Sequence, residues 1–428
     1  MQADIPRLRG SGRSEDCLYL NIWTPADRNG DAVPVMVWVP GGGFVGGSGS
    51  DRRADGAKFA AMGVVLITLN YRVGMFGYLA HPGLTAESEH GASGNYGLMD
   101  IAVALEWVRD NINAFGGDPG RVTAFGVSAG SASIGLLLTS PRIEGLFHRT
   151  ILQSPGIWRP LTKLDEAEAA GNSLNSDIRV LRAMDAETLF SHTAALNPSQ
   201  RSLTRPRTLR PINDGWLLTE DDRDSWKRGA FEAMPMIVGS NAEEGSLFTG
   251  TWPVRTPSDF SALLEASFGD MAGEAAAVYP AADEAAVAEQ LAFLFGDTQF
   301  TLGTWGIGQV AAALGQPVWR HLLTRHPGGR TWPPKHGEDV AYTFGNLHTA
   351  DPQEGEIGAL DEAVSDTIMR SWVQFAHGEA PSGPGIDWPQ VTSDTSPYLA
   401  LGDAITVEDG WRQSQIRFLD RYFDAKKR

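Results

Sequence analysis

The stretch Arg121-Val122-Thr123-Ala124-Phe125-Gly126-Val127-Ser128-Ala129-Gly130-Ser131-Ala132-Ser133-Ile134-Gly135-Leu136 decides the fold of this chain. Its opening residues form the branched, apolar run of a buried strand, and its closing residues are the small-residue start of a helix. Between them lies Gly126-x-Ser128-x-Gly130. A Cβ at either glycine would crowd neighbouring backbone, so glycine lets the chain turn sharply and lift Ser128 above the strand end. A serine hydroxyl is a weak nucleophile. It needs an adjacent base, and the oxyanion it creates needs hydrogen-bond donors. The turn aims one such donor, the N–H of Ala129. With 49 glycines in 428 residues the pattern by itself can arise by chance, and the competing reading is a serine capping an ordinary helix. The strand before it, the helix after it and the lack of a second match favour the nucleophile.

Working outward, similar apolar runs read as buried parallel strands: Leu18–Trp23, Val33–Val39, Val64–Asn70, Thr150–Gln153, Met236–Gly239 and Val318–Thr324, with Val122–Gly126 among them. Helical patterns lie between many of them. From Gly97 to Phe115, residues Leu98, Ile101, Leu105, Val108 and Ile112 recur at helical spacing, and Ser131 to Ser140 is helical up to Pro141. Such alternation predicts an α/β fold: a mostly parallel central sheet flanked by helices, with its chemistry at the carboxyl ends of the strands. Lys163–Phe190 and Ser258–Phe295 are Ala- and Glu-rich and read as helical lid or wall insertions, about 160–230 and 255–315, within a single domain spanning 1–428. A last amphipathic helix, about Leu360–His377, places Val364, Ile368, Trp372 and Phe375 on one face.

The strand Val35–Val39 ends in Pro40-Gly41-Gly42-Gly43-Phe44, where glycines let backbone N–H groups turn toward a ligand; no Gly-Lys-Ser/Thr follows, which argues against a phosphate loop. A base should stand on a loop at the top of the sheet. His336, in Pro333-Pro334-Lys335-His336-Gly337-Glu338-Asp339 after the strand Val318–Thr324, fits best, with His326 second. His148 and the strand residue His321 read as structural. An acid to orient the base should follow another strand, and Glu243 and Glu244 both qualify after Met236–Gly239. Phe44, Trp158, Phe248 and Trp252 lie beside these loops as candidate walls of an apolar pocket, with core packing the alternative for each.

Composition narrows the partners. Hydrophobic residues make up 42% and charged residues 20%, a globular balance. The net charge of −17 repels phosphate backbones and anionic membranes, so nucleic acid and membrane partners are not expected. It favours neutral substrates unless a local basic site reverses the field. The single cysteine, Cys17, excludes an intrachain disulfide and a Cys/His zinc cluster and reads as a buried apolar residue. The first residues, Met1 to Arg7, carry no apolar run of a signal peptide, which points to a cytoplasmic protein, monomeric or weakly homo-oligomeric.

Several blocks together resemble the type-B carboxylesterases, the cholinesterase-like branch of the α/β-hydrolase fold. They are Ser14 to Trp23 (SEDCLYLNIW), the glycines 41–43, Asn70 to Gly74, Gly94 to Leu98, Phe115 to Pro119, the elbow, Leu152 to Ser154, Gly239 to Gly245 and His336 to Glu338. The resemblance covers nearly the whole chain. It implies a carboxylic ester hydrolase working through an acyl-enzyme, with Ser128, Glu244 and His336 as its triad, and Gly42, Gly43 and Ala129 as oxyanion donors. It implies no metal and no organic cofactor, and a small-molecule ester as substrate. Neutral hydrophobic esters are expected. A non-catalytic adhesion or scaffold protein on the same fold, or an amide or carbamate hydrolase, are the alternatives. The sequence also departs from the family. Val127 stands where a glutamate is usual, which should dry the site and shift its pH profile. Pro40 replaces a histidine common in bacterial members. Cys17 lacks a disulfide partner. The chain starts later than the family usually does, without the N-terminal hairpin, which predicts a more open pocket.

Overall fold

The protein is described here as a computed structural model covering residues 13–25, 30, 32–198, 200, 202–326, 328, 332–349, 356–382 and 385–426; the segment Met1 to Arg7 lies outside them. Among these residues nine strands form one sheet in the order β1-β3-β2-β4-β5-β6-β7-β8-β9. They are β1 Leu20–Trp23, β2 Val33–Val39, β3 Val65–Leu69, β4 Gly117–Val127, β5 Arg149–Gln153, β6 Met236–Asn241, β7 Val318–Leu323, β8 Tyr398–Leu401 and β9 Ile405–Glu408. The edge pairs β1–β3 and β8–β9 are antiparallel, and every pairing from β3 to β8 is parallel. All the expected strands form. The short β8 and β9 were not anticipated, because Tyr398–Leu401 and Ile405–Glu408 are too brief to stand out in periodicity.

Side chains alternate across the sheet, and each face builds its own core. Val35, Val37 and Val39 of β2 join Ile67, Ala124, Leu152 and Val238 on one face, beneath helices α1 (Tyr96–Asn111), α2 (Ala129–Leu137) and α3 (Leu302–Ala313). Met36 and Trp38 join Leu66, Phe125, Val127, Ile151 and Ile237 on the other, against α4 (Asp339–Thr343) and α5 (Ala359–His377). The expected amphipathic stripe of α5 holds, with Val364, Ile368, Trp372 and Phe375 in that second core. Cys17 is buried, 8% exposed.

The inserted segments are helical as expected, over Leu164–Leu174, Ile178–Ala183 and Ala186–Ser191, then Pro257–Phe268, Ala272–Val278 and Glu284–Gly296. One detail escaped the sequence. Asp297–Thr301 is a π-turn joining Glu284–Gly296 to α3. Its extra residue rotates the helix face, a device frequent at functional sites. Buried Asp297 accepts bonds from Arg412 Nε (2.7 Å) and Tyr279 Oη (2.8 Å), which anchors the turn on one side. Phe300, on the other side, stacks on the His336 ring.

Candidate active site

Four consecutive parallel strands end in the groups that converge. Ser128 follows β4, Ser154 follows β5, Glu244 follows β6 and His336 follows β7. Backbone bonds lock these strand ends in register: Ser128 N–H to Gln153 O (2.9 Å), Ser154 N–H to Gly239 O (2.7 Å) and Ala242 N–H to Leu323 O (2.9 Å). Ser128 sits at φ 56°, ψ −120°, a conformation that costs a non-glycine residue on the order of 1–3 kcal/mol. Its flanking glycines explain why it is reached. A Cβ on Gly126 would stand 2.6 Å from Val39 O, and one on Gly130 2.0 Å from the same atom. The serine is therefore held out from the strand by the close approach of β2.

The hydroxyl of Ser128 lies 2.7 Å from Nε2 of His336. The other imidazole nitrogen, Nδ1, bonds Glu244 Oε2. Glu244 is 3% exposed, and its second oxygen accepts the Ser154 hydroxyl (2.6 Å) and the Asn241 N–H (2.6 Å). Of the paired glutamates, Glu244 is the one that meets the imidazole. Glu243 turns away, taking the N–H groups of Gly245 (2.6 Å) and Ser246 (2.7 Å) and the Ser246 hydroxyl, and so shapes the loop. The histidine loop is tied on several sides. Asn241 Nδ2 donates to Lys335 O (2.7 Å), Glu243 N–H to Pro334 O (3.0 Å) and Arg53 Nη1 to Gly337 O (2.9 Å).

Beneath this row lies a second buried carboxylate, Asp339, which the sequence reading did not single out. It accepts from Gln153 Nε2 (2.6 Å) and Asn241 Nδ2 (3.3 Å). Burial, then the charge of Glu244, raises its pKa. Gln153 is registered opposite Val127, so both point to the same face of the sheet. Val127 therefore places methyl groups on the Asp339 side of the elbow, 5% exposed within the second core.

On the opposite flank, Gly42 (φ 137°) and Gly43 (φ 63°) take left-handed backbone that turns their amides. Among the described residues, none of the N–H groups of Gly42, Gly43 and Ala129 donates to a protein acceptor. The loop is braced by Tyr71 Oη, which donates to Pro40 O (2.9 Å), and by Gly74 N–H, which donates to Phe44 O (2.7 Å).

The candidate wall residues divide. Phe248 stands 5.2 Å from the His336 ring. Phe300, which sequence reasoning missed, stacks on that ring at 4.1 Å. Phe44 packs edge-on to Tyr78 at 5.2 Å beside the glycine loop. Trp158 and Trp252 are core residues, each 1% exposed: Trp158 lies against Gly306 of α3, and Trp252 meets Phe295 edge-on at 5.6 Å. Both belong to the main hydrophobic core, as does Phe44 at 2% exposure. The remaining histidines serve structure where bonds are described. His148 Nδ1 accepts the Val122 N–H (3.2 Å), and His81 Nδ1 accepts the Gly83 N–H (2.9 Å). His321 is buried in β7, where burial and then Arg320 push its pKa down to about 3. Among the described residues no group of His, Cys, Asp or Glu could hold a metal ion.

The family described as the carboxylesterase family matches residues 2–419. The chain belongs to that family. It is a carboxylic ester hydrolase, and its relatives agree. A fumonisin B1 esterase of Sphingopyxis macrogoltabida is 45% identical over 388 residues, spanning 89% of this chain and 72% of that protein. A para-nitrobenzyl esterase of Bacillus subtilis is 34% identical over 421 residues, spanning 95% and 82%. A solved structure of a PNB esterase superposes with a TM-score of 0.82 at 32% identity, covering 95% of this chain and 84% of that one. The expected α/β-hydrolase fold is thereby established for this esterase.

Proposed function

We propose that Ser128 is the nucleophile of this esterase, His336 its general base and acid, and Glu244 the group that orients and charges the imidazole. The carrying observation is the Ser128 Oγ–His336 Nε2 distance of 2.7 Å with Glu244 on the opposite ring nitrogen. Ser128 Oγ attacks the ester carbonyl while Nε2 takes its proton. Glu244 accepts from Nδ1–H and stabilises the imidazolium. The tetrahedral oxyanion is held by the amides of Gly42, Gly43 and Ala129. The imidazolium returns the proton to the departing alcohol, leaving Ser128 acylated. Water, activated by His336, then releases the acid and restores the serine. The rings of Phe248 and Phe300 beside His336 give the alcohol half an apolar wall.

The relative named as a para-nitrobenzyl esterase supports esters of a benzylic alcohol, and the one named as a fumonisin B1 esterase supports ester hydrolysis more generally. The nine-stranded sheet, drawing strands from both ends of the chain, supports reading the whole chain as one catalytic domain. No helix among the described residues is long and apolar enough to cross a membrane. The reading also includes a cytoplasmic setting, which the lone Cys17 suits, and a monomeric or weakly associating state. Ser128→Ala should remove both turnover of a para-nitrobenzyl ester and covalent labelling by a fluorophosphonate. Retention of either would refute the assignment.

A further inference from the structure

His336 stands between two anchored stretches of its own loop. On its amino-terminal side the carbonyls of Pro334 and Lys335 accept from Glu243 N–H (3.0 Å) and Asn241 Nδ2 (2.7 Å), both on the segment that carries Glu244. On its carboxyl-terminal side the carbonyl of Gly337 accepts from Arg53 Nη1 (2.9 Å). Gly337 is at φ 78°. A glycine in left-handed backbone has no side chain to lock its peptide unit, so this bond matters more there than at an ordinary residue.

Arg53 comes from the other half of the reaction centre. After the oxyanion glycines the chain folds into a compact turn, in which the N–H groups of Val45 and Gly46 both donate to Gly42 O (3.1 Å each). A Cβ on Gly47 would stand 1.8 Å from Gly41 O. The chain is then pinned to the sheet at Gly49, whose N–H donates to Asn70 Oδ1 (2.8 Å) and whose carbonyl accepts from Thr68 Oγ1 (2.7 Å). Asp51 and Arg53 follow. The Asp51 carboxylate accepts the Arg53 backbone N–H (2.9 Å) and, from its guanidinium, Nη2 (2.7 Å) and Nε (3.2 Å). The two side chains are sheltered, 17% exposed for Arg53 and 14% for Asp51. This clamp aims Nη1 at Gly337. A lysine presents one nitrogen and cannot hold the carboxylate and the carbonyl together in that planar geometry.

The backbone of Arg53 is held independently of its guanidinium. Asn346, 6% exposed, donates through Nδ2 to Arg53 O and Asp55 O (2.9 Å each). The segments around Arg53 and Asn346 therefore stay together without the guanidinium, whose own reach ends at the residue after the base. Arg53 and Gly337 are 284 positions apart in the chain, yet attack on an ester needs the glycine amides and the imidazole in one fixed relation to a single carbonyl group. Building on the triad reading above, we propose that Arg53 is a positioning residue of this esterase: its guanidinium, aimed by Asp51, holds the Gly337 peptide and so sets the His336 imidazole against the oxyanion amides. The demand is greatest for an alcohol that cannot leave as its anion, because the imidazolium must then deliver a proton to it as well as take one from Ser128. A misplacement of about 1 Å at such a group costs about a hundredfold in rate.

The test measures the parent chain and its variants on benzyl acetate and para-nitrophenyl acetate, with rates divided by the serines titrated with a fluorophosphonate. Para-nitrophenolate leaves without a proton, whereas benzyl alcohol needs one from the imidazolium. Arg53→Gln should lower kcat/KM on benzyl acetate by about tenfold or more, through kcat with KM little changed, and on the para-nitrophenyl ester by about threefold. Arg53→Lys keeps the charge and loses the fork, so it should show the same selective loss. Asp51→Asn should show a smaller loss of the same pattern, and it carries the test if the Arg53 variants fail to fold. Arg52→Gln, a change at the exposed arginine one residue away, should match the parent. No loss in Arg53→Gln, a loss equal on the two esters, or one that vanishes per titrated serine overturns the proposal while ester hydrolysis stands. So does a lysine variant as active as the parent, because charge alone then suffices. A parent chain that takes up no fluorophosphonate would instead refute the triad reading.

Discussion

Glu244→Gln separates the roles of the two adjacent glutamates. In the native site the Glu244 carboxylate receives three donors: His336 Nδ1–H, the Ser154 hydroxyl and the Asn241 N–H. An amide keeps one oxygen. If its NH2 faces His336, the ring must adopt the tautomer with the proton on Nε2, and that nitrogen cannot accept the Ser128 proton. If its NH2 faces the other way, it meets the Asn241 N–H, donor against donor, at a position 3% exposed. The charge is lost in either case. For an imidazolium about 4 Å from a carboxylate, at an effective dielectric constant of about 20, the interaction is about 4 kcal/mol. Lost from the transition state, that is about a thousandfold in kcat/KM. Glu243→Gln should behave differently, because one amide oxygen can still accept from both Gly245 N–H and Ser246 N–H. Its rate should change less than about fivefold, with a stability loss of about 1 kcal/mol. Initial rates on a para-nitrobenzyl ester from pH 5 to 9, with thermal melts to confirm folding, read both variants. A Glu243 variant as damaged as the Glu244 variant would refute the assignment of the acid.

Val127→Glu places a carboxylate on the face shared with Gln153 and Asp339, so it should favour positive charge near the site and move the acid limb of kcat/KM to higher pH; an unchanged profile would show that Val127 has no electrostatic part. Ser154→Ala removes one charge-assisted bond from Glu244 and should cost about tenfold in kcat/KM with little change in KM, measured on the same ester. The folded-state pKa of His321 is depressed to about 3, so the unfolded chain takes up a proton that the folded one refuses. Stability from this group is full above about pH 6.5 and is lost as pH falls toward 3. His321→Leu should therefore lose less melting temperature between pH 7 and 4 than the parent in calorimetric scans, and a parallel loss in both would count against it.

What could be read from the sequence was what local chemistry constrains. The elbow, the glycine loop and the strand runs declared themselves because a tight turn demands glycine and a doubly covered strand demands continuous apolar residues. The order of the strands in the sheet and the pairing of His336 with one of two adjacent glutamates depend on long-range register, which no local pattern encodes. Family resemblance preferred Glu244, and the loop geometry gives the physical reason, since Glu243 is used up on the turn. Phe300 and Asp339 were missed for a related reason. A phenylalanine in an apolar helix reads as core until a π-turn rotates it onto an imidazole. An aspartate two residues beyond a loop glycine reads as solvated until α4 buries it. Trp158 and Trp252, beside motif loops in sequence, are buried in the core of the fold.

The convergence of Ser128, Ser154, Glu244 and His336 from four neighbouring strands also bears on how the enzyme is made. Ser128 and His336 are separated by 208 positions along the chain, so their 2.7 Å contact is among the last a growing or refolding polypeptide can form. No fragment ending before β7 holds the base, and none beginning at α2 or later holds the nucleophile. Hydrolysis is thus a reporter of completed topology. During refolding, helical signal should return first, burial of the β2–β4 half of the sheet next, and activity only when the carboxyl-terminal strands dock.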